Sequence, residues 1–218
     1  MGLGREEAIG GLLTEYEAFG ALVRSLDAQQ WEQPSRCEGW TVGDVARHVV
    51  GTATDVAGGV AGTHTPDEEV AERQGRTPAE IAGELDTALD TLRNLAAVIN
   101  EEAWNGPSPV PDLTMRQGIL TLIYDVYVHS DDIRTALGMR PAGSGLGLDG
   151  TVEHLAEQLD QRGWGPATLA LDGMEKTDIG GGGDVVSGDP MRFVLVACGR
   201  QDPGTLGLDS KVNIYADA

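Results

Sequence analysis

The chain has 218 residues, 40% of them hydrophobic, and a formal net charge of −20 at pH 7. A surface this acidic repels nucleic-acid phosphates and anionic lipid, and the 15 basic residues are dispersed, so the composition argues against a nucleic-acid partner. No apolar run approaches the roughly 20 residues of a membrane span, and the N-terminus lacks a signal-peptide core, which predicts a cytoplasmic protein with no membrane partner.

Four apolar patterns at helical spacing lie in the first 140 residues. The first runs from Arg5 to Leu26, and each of the other three follows a threonine that opens a capping pattern. These threonines are Thr41, Thr77 and Thr114. Four amphipathic helices joined by loops predict an antiparallel bundle, in which the polar stretch 58–76 is a loop between the second and third helices.

The composition changes after Gly138, where a Gly- and Pro-rich linker leads into a fifth helical pattern at 149–161. Short β-like runs follow at 167–171, 185–187 and 211–216, with a last helix at 191–197. The predicted fold is therefore α+β. A four-helix bundle occupies residues 1–140, and a small α/β domain occupies residues 141–218.

A candidate metal site lies in the fourth helix, where Asp125 and His129 are one turn apart on the same face. His48 lies at the edge of the apolar stripe of the second helix and can point into a cleft between helices. Two histidines and a carboxylate with an open fourth position form a catalytic zinc arrangement. The alternative is two solvated helix faces, with an Asp–His pair contributing a few tenths of a kcal/mol.

Other reactive side chains have simpler interpretations. His64 in the polar loop and His154 on the outer face of the fifth helix are predicted to lie at the surface. Cys37 has no base near it in the sequence, which favours a packed or exposed thiol over a nucleophile. Gly180–Gly183 lacks the residues of a phosphate loop and is predicted to be a flexible hairpin connection. Two cysteines, Cys37 and Cys198, are too few for a disulfide scaffold.

One stretch of the second helix resembles a known family signature. Residues 37–48 read Cys-Glu-Gly-Trp-Thr-Val-Gly-Asp-Val-Ala-Arg-His. This resembles the C-x-G-W-[ST]-V-x-D-[VL]-x-x-H motif of the mycothiol-dependent maleylpyruvate isomerase family, within the DinB-like superfamily. A second mark of that family is a carboxylate shortly before a histidine in the fourth helix, here Asp125-x-x-x-His129. Cys198-Gly199-Arg200 is similar to the family's W-G-R segment.

The resemblance implies a DinB-like four-helix bundle with zinc, or another divalent transition metal, held by His48, Asp125 and His129. It implies mycothiol, or a similar low-molecular-weight thiol, as cosubstrate, activated as a metal-bound thiolate. The thiol would serve S-transfer to an electrophilic small molecule, or cis–trans isomerisation of its double bond. The family also uses an arginine of the C-terminal domain to hold the substrate carboxylate, and Arg200 is the candidate for this catalytic role.

The family usually has Glu where this chain has Asp125, so the metal must lie closer to the fourth helix or be bound less well. Two alternatives stay open at this point. One is a non-catalytic small-ligand-binding or regulatory module on the same scaffold. The other is a metal-dependent hydrolase, for which Asp44 or Asp132 would be the general base. Nothing in the sequence predicts an oligomeric state.

Overall fold

A computed structural model describes residues 2–216. The helices and strands follow one another in the order α1 (Arg5–Arg24), α2 (Ala28–Trp31), α3 (Val42–Ala57), α4 (Pro66–Glu72), α5 (Pro78–Ala96), α6 (Glu101–Asn105), α7 (Met115–Ala136), α8 (Leu146–Gln161), β1 (Ala167–Leu171), β2 (Thr177–Ile179), β3 (Asp184–Gly188) and α9 (Pro190–Ala197). Two short 3-10 helices, Pro203–Leu206 and Ser210–Val212, close the described chain. None of its helices is long and apolar enough to cross a membrane.

The four long helices α1, α3, α5 and α7 are those that the apolar patterns predict. Each of α3, α5 and α7 begins after a threonine whose hydroxyl accepts a hydrogen bond from the backbone NH three residues on, and the side chain at that residue bonds back. These capping boxes satisfy NH groups that a helix start leaves unpaired. The sequence prediction of the bundle, including its helix starts, is confirmed.

The bundle core is built from the apolar stripes of these four helices. Its largest fully buried members include Tyr16 and Phe19 of α1, Ile81 and Leu85 of α5, and Ile123 of α7. The contribution of α3 is made of small and branched residues, among them Val45, Ala46, Val49 and Ala53. Small side chains on α3 allow it to pack closely between α5 and α7.

A second core lies under the C-terminal part of the chain. Helix α8 packs on α7, and a three-stranded sheet and α9 pack on α8. Strand β1 lies in the centre, antiparallel to β2 and parallel to β3. Tyr124, Tyr127 and Val128 of α7 belong to this second core, while Ile123 and Val126 of the same helix belong to the first. Since α7 serves both cores, the division at residue 140 stays a prediction.

Two predictions about the C-terminal part are wrong. Residues 211–216 form a 3-10 turn and a bend instead of a strand, because no strand lies beside them to pair with. Their alternating pattern has another cause: Val212 and Ile214 are buried anchors in the second core. Gly180–Gly183 is not a hairpin connection, since β2 and β3 lie on opposite sides of β1 and the loop crosses the end of that strand. A Cβ at Gly183 would lie 2.5 Å from the Pro166 carbonyl oxygen.

The stretch 58–76 is also not the plain loop that its polarity predicts, because it contains α4. Thr65 caps this helix through Glu68, and Pro66 takes the first position. The same signal, Thr-Pro with Glu three residues after the threonine, correctly predicts α5 at residue 77. Helix α4 was missed because it has few apolar residues. It proves central to the candidate site.

Candidate metal centre

The structure brings His48, Asp125 and His129 together at the junction of α3 and α7. Nε2 of His48 lies 3.3 Å from Oδ1 of Asp125, and Nε2 of His129 lies 3.6 Å from the same oxygen. The two imidazole rings meet edge to face, with 5.1 Å between their centroids. Each of the three side chains offers a ligand atom within 4.8 Å of the other two.

A buried carboxylate orients His48. Glu69 of α4 is only 5% exposed, and its Oε2 lies 2.6 Å from Nδ1 of His48. Because an ionised carboxylate can only accept, Nδ1 carries the proton. Thr52 donates to the same carboxylate at 3.2–3.3 Å. Burial works against protonation of His48, but Asp125 and Glu69 outweigh it and raise its pKa to about 10.

A second carboxylate orients His129 in the same way. Oδ2 of Asp132 lies 2.9 Å from Nδ1 of His129, so this nitrogen donates and Nε2 faces Asp125. Burial opposes ionisation of Asp132. The hydrogen bonds from Arg200 and His129, and the charge of Arg200, nevertheless hold its pKa far below the usual range. Asp132 is therefore a permanent acceptor and no general base. Asp44 is also unsuited to act as a general base, because it caps α3 and pairs with Arg47 at 2.8 Å.

The donor set fits a divalent cation. With both Nδ1 atoms bound to carboxylates, the two Nε2 atoms are left to face one point beside Asp125, the arrangement that metal-ligating histidines usually show. Oδ2 of Asp125 is buried and has no hydrogen-bond partner among the described residues. An unpaired buried carboxylate oxygen is costly unless a cation or water satisfies it. The carboxyl stays ionised: burial opposes this, but His48, His129 and Arg200 hold its pKa below the usual range.

A second group of possible ligands, Cys37 with His129 and Asp132, fits a cation poorly. Two guanidinium groups, from Arg36 and Arg200, already bind Asp132. Both Asp132 oxygens are therefore already bonded and are not free to bind a cation. The Cys37 thiol lies 3.3 Å from Oδ2 of Asp132, to which it donates. Burial, and then the Asp132 charge, raise its pKa to about 11, so Cys37 is a neutral packed thiol here.

Arg200 does reach the candidate site, because the C-terminal part folds against α7. Its Nε and Nη2 donate to the two oxygens of Asp132 at 2.8 and 2.7 Å, and Nη1 donates to the Cys198 carbonyl. Arg200 therefore contacts the metal centre through Asp132 and not directly. Its role towards a substrate stays a prediction.

His154 is not on an outer face. It is 7% exposed, and its ring stacks on Tyr124 with 4.8 Å between the centroids. The sequence prediction is wrong because the second core covers this side of α8 as well. Burial lowers the pKa of His154 to about 4, so the imidazole is neutral. His64 is partly exposed and binds Asp55 at 2.8 Å.

The sequence prediction did not single out Glu69, and it did not foresee the contacts that Asp132 and Trp40 make with the two histidines. Glu69 and Asp132 hold the two histidines, and Trp40 packs against His48 with 5.3 Å between ring centroids. The capping signal at Thr65 could have revealed the helix that carries Glu69. The contact itself joins residues 21 positions apart and follows only from how α4 packs on α3.

Comparison with known proteins places the chain in a family. Residues 12–134 match the sequence model of the mycothiol maleylpyruvate isomerase N-terminal domain. Two crystal structures share the fold: mycothiol-dependent maleylpyruvate isomerase, with a TM-score of 0.65 and 19% identity, and a histidine-to-alanine mutant of it, with 0.66 and 18%. Each alignment covers 95% of this chain and 96% of the other. No curated protein matches the chain.

Proposed function

Because the chain belongs to the mycothiol maleylpyruvate isomerase N-terminal domain family, we propose that it is a zinc-dependent enzyme that uses mycothiol to isomerise an electrophilic double bond. The observation that carries the proposal is the convergence of two Nε2 atoms and one carboxylate on a single point. The structural neighbours bear the name of this activity, and they share the fold across 95% of the chain.

The proposed ligands are His48, Asp125 and His129. A divalent cation bound there would hold the thiol of mycothiol and deprotonate it near neutral pH. Glu69 and Asp132 accept the Nδ1 protons of the two histidines, so Nε2 of each imidazole is the nitrogen left to bind the cation. Reversible addition of a thiolate to a conjugated double bond leaves a single bond that can rotate before the thiolate departs. The chain need only orient the thiol and the substrate.

Arg200 remains the proposed contact for a substrate carboxylate. Asp132 already occupies the edge of its guanidinium formed by Nε and Nη2. Nη1 also donates to the Cys198 carbonyl at 3.2 Å, so a second carboxylate would bind the one NH left on each of Nη1 and Nη2. Because Asp132 also binds His129, this geometry would place the substrate carboxylate beside the ligand set.

Three measurements test the proposal. Elemental analysis of the purified protein should give close to one zinc per chain. Mycothiol should lose a proton on binding to the zinc-loaded protein at pH 7, and not on mixing with the chelated protein. The loaded protein should then convert maleylpyruvate, or a related conjugated cis-alkene acid, only when mycothiol is present.

The results separate the alternatives. Zinc-loaded protein that binds mycothiol but converts no electrophile would indicate S-transfer with another substrate or a non-catalytic ligand-binding role. Hydrolysis without thiol would support a hydrolase, although Asp44 and Asp132 are both held in ion pairs and neither offers a free base. Protein that binds no divalent metal would contradict the proposal.

A further inference from the structure

Helix α4 lies against α3, and the side chain of its Glu69 reaches His48 of the metal centre. We propose that α4 is a support for His48, in which Glu69 is the positioning residue that determines which imidazole nitrogen is free to bind the metal. This inference rests on the proposed metal centre. It assigns a function to a segment whose composition otherwise indicates a surface loop.

The contact between Glu69 and His48 differs from a surface ion pair because it is buried and short. Both side chains are more than 90% buried, and 2.6 Å separates Oε2 from Nδ1. Burying a carboxylate is costly unless its oxygens are bonded, and the partners here are Nδ1 of His48 and the Thr52 hydroxyl. A free imidazole exchanges its proton between both nitrogens. Glu69 holds one proton on Nδ1, so Nε2, which faces Asp125, is the nitrogen left for a cation to bind in place of its proton.

Gly51 allows α4 to approach α3 closely enough for this contact. A Cβ at Gly51 would lie 2.6 Å from Cβ of Glu69 and 3.1 Å from Nη1 of Arg73. The first of these contacts is shorter than real Cβ atoms allow, so any side chain at 51 must displace α4. Arg73 reinforces the position of α4, since it donates to the Glu69 carbonyl at 2.9 Å and binds Glu84 of α5 at 2.8 Å.

Helix α4 also restrains the His48 ring indirectly, through Trp40. Trp40 packs against the ring of His48, and its Nε1 donates to Asp67 of α4 at 3.2 Å. One short helix thus restrains His48 both through Nδ1 and through the ring that packs on it. Two such contacts, from Asp67 and Glu69 within one turn of α4, are consistent with support for His48 and not with a chance neighbour.

The test compares zinc affinity, measured by competition with a chromophoric chelator, in matched pairs of variants. Glu69→Ala should weaken zinc binding about 10- to 100-fold, the usual effect of losing such a partner. Glu69→Gln keeps an oxygen that accepts the Nδ1 proton and should restore much of this loss. Glu72→Gln, at the exposed end of the same helix, is the control and should change the affinity less than twofold.

A second pair tests the approach of α4 without changing Glu69. Gly51→Ala should weaken zinc binding by at least tenfold because it displaces α4. Gly83→Ala is the control, since it makes the same change at an exposed position of α5, where a Cβ meets nothing within 4 Å. Both variants gain helix propensity, so a loss of affinity in Gly51→Ala alone reports the displaced contact.

The nitrogen bound to the metal gives a readout that a merely structural role would not change. In the zinc-loaded wild type, the ¹⁵N spectrum of the imidazoles should show His48 protonated at Nδ1 and bound through Nε2. Glu69→Ala should give a mixture of both nitrogens. Wild-type affinity and an unchanged spectrum in Glu69→Ala and Gly51→Ala would overturn this inference and leave the proposed function intact. A wild-type protein that binds no zinc would overturn both.

Discussion

Arg200 and Asp132 join the C-terminal part of the chain to the metal centre through a two-point salt bridge. The guanidinium of Arg200 follows α9, and the carboxylate of Asp132 belongs to α7, 68 positions earlier in the chain. Asp132 is fully buried and also binds His129 and Arg36. The C-terminal part therefore supports a proposed metal ligand through this one carboxylate.

We expect Arg200→Gln to destabilise the protein by about 1–3 kcal/mol, because it leaves the buried Asp132 with one guanidinium in place of two. Urea unfolding followed by circular dichroism measures this change. Arg162→Gln, which removes an exposed arginine of the same part of the chain, should have almost no effect. Equal stability of both variants would show that the Arg200–Asp132 pair contributes little.

Arg200→Lys separates the structural role of this residue from its proposed role towards the substrate. A lysine keeps the charge near Asp132 but cannot form two parallel hydrogen bonds or bind a second carboxylate at the same time. We expect most of the stability to remain, while KM for a carboxylate substrate rises at least tenfold. An unchanged KM would show that Arg200 acts on Asp132 alone.

His48→Ala and His129→Ala should each lower the zinc content to below one tenth per chain. The apolar cores do not depend on these side chains, so both variants should stay folded. His64→Gln is the matched control, because His64 is partly exposed and lies outside the ligand group. Zinc content is measured by elemental analysis after gel filtration. Retention of zinc by either alanine variant would contradict the ligand assignment.

Asp125→Asn tests the carboxylate with almost no change of volume. The substitution places an amide where a negative charge faces two imidazoles, and at best one neutral oxygen remains to bind a cation. We expect zinc affinity to fall at least tenfold in chelator competition. An affinity equal to that of the wild type would show that the two histidines alone hold the metal.

His154 should make stability depend on pH in the acid range. Its pKa is about 4 in the folded protein and 6.5 in a model peptide, so between these values the unfolded chain binds a proton that the folded chain does not. Stability from this group is therefore present above pH 6.5 and is lost as the pH falls towards 4, by up to about 3 kcal/mol. His154→Phe keeps a ring beside Tyr124 and should lose less stability between pH 7 and 4.5.

Cys37 should be dispensable for catalysis, because its thiol is neutral and donates to Asp132. Cys37→Ser keeps a donor at this position, so we expect zinc content to be unchanged and activity to remain within threefold of the wild type. Thiol-specific reagents should react with Cys37 more slowly at pH 8 than with a free cysteine. Activity lost in the serine variant with zinc retained would assign the thiol a direct role.

Local patterns in the sequence predict the bundle and the helix face on which Asp125 and His129 lie. Apolar spacing and the capping threonines predict α1, α3, α5 and α7. Both signals are local, because a capping box joins residues three apart and a buried helix face repeats every three or four residues. The same spacing places Asp125 and His129 together on one helix. The position of His48 at the edge of the apolar stripe of α3 made it the third candidate, and the resemblance to a family motif then supported it.

Only the tertiary structure decided what surrounds those ligands. Glu69 was assigned to a loop, His154 to an outer face and residues 211–216 to a strand, and each assignment failed because burial depends on neighbours distant in the sequence. A polar helix such as α4 has too few apolar residues for its sequence pattern to indicate which face packs against the rest of the protein. The hydrogen bonds that orient both histidines form across helix packing, so they follow from the fold and not from local spacing.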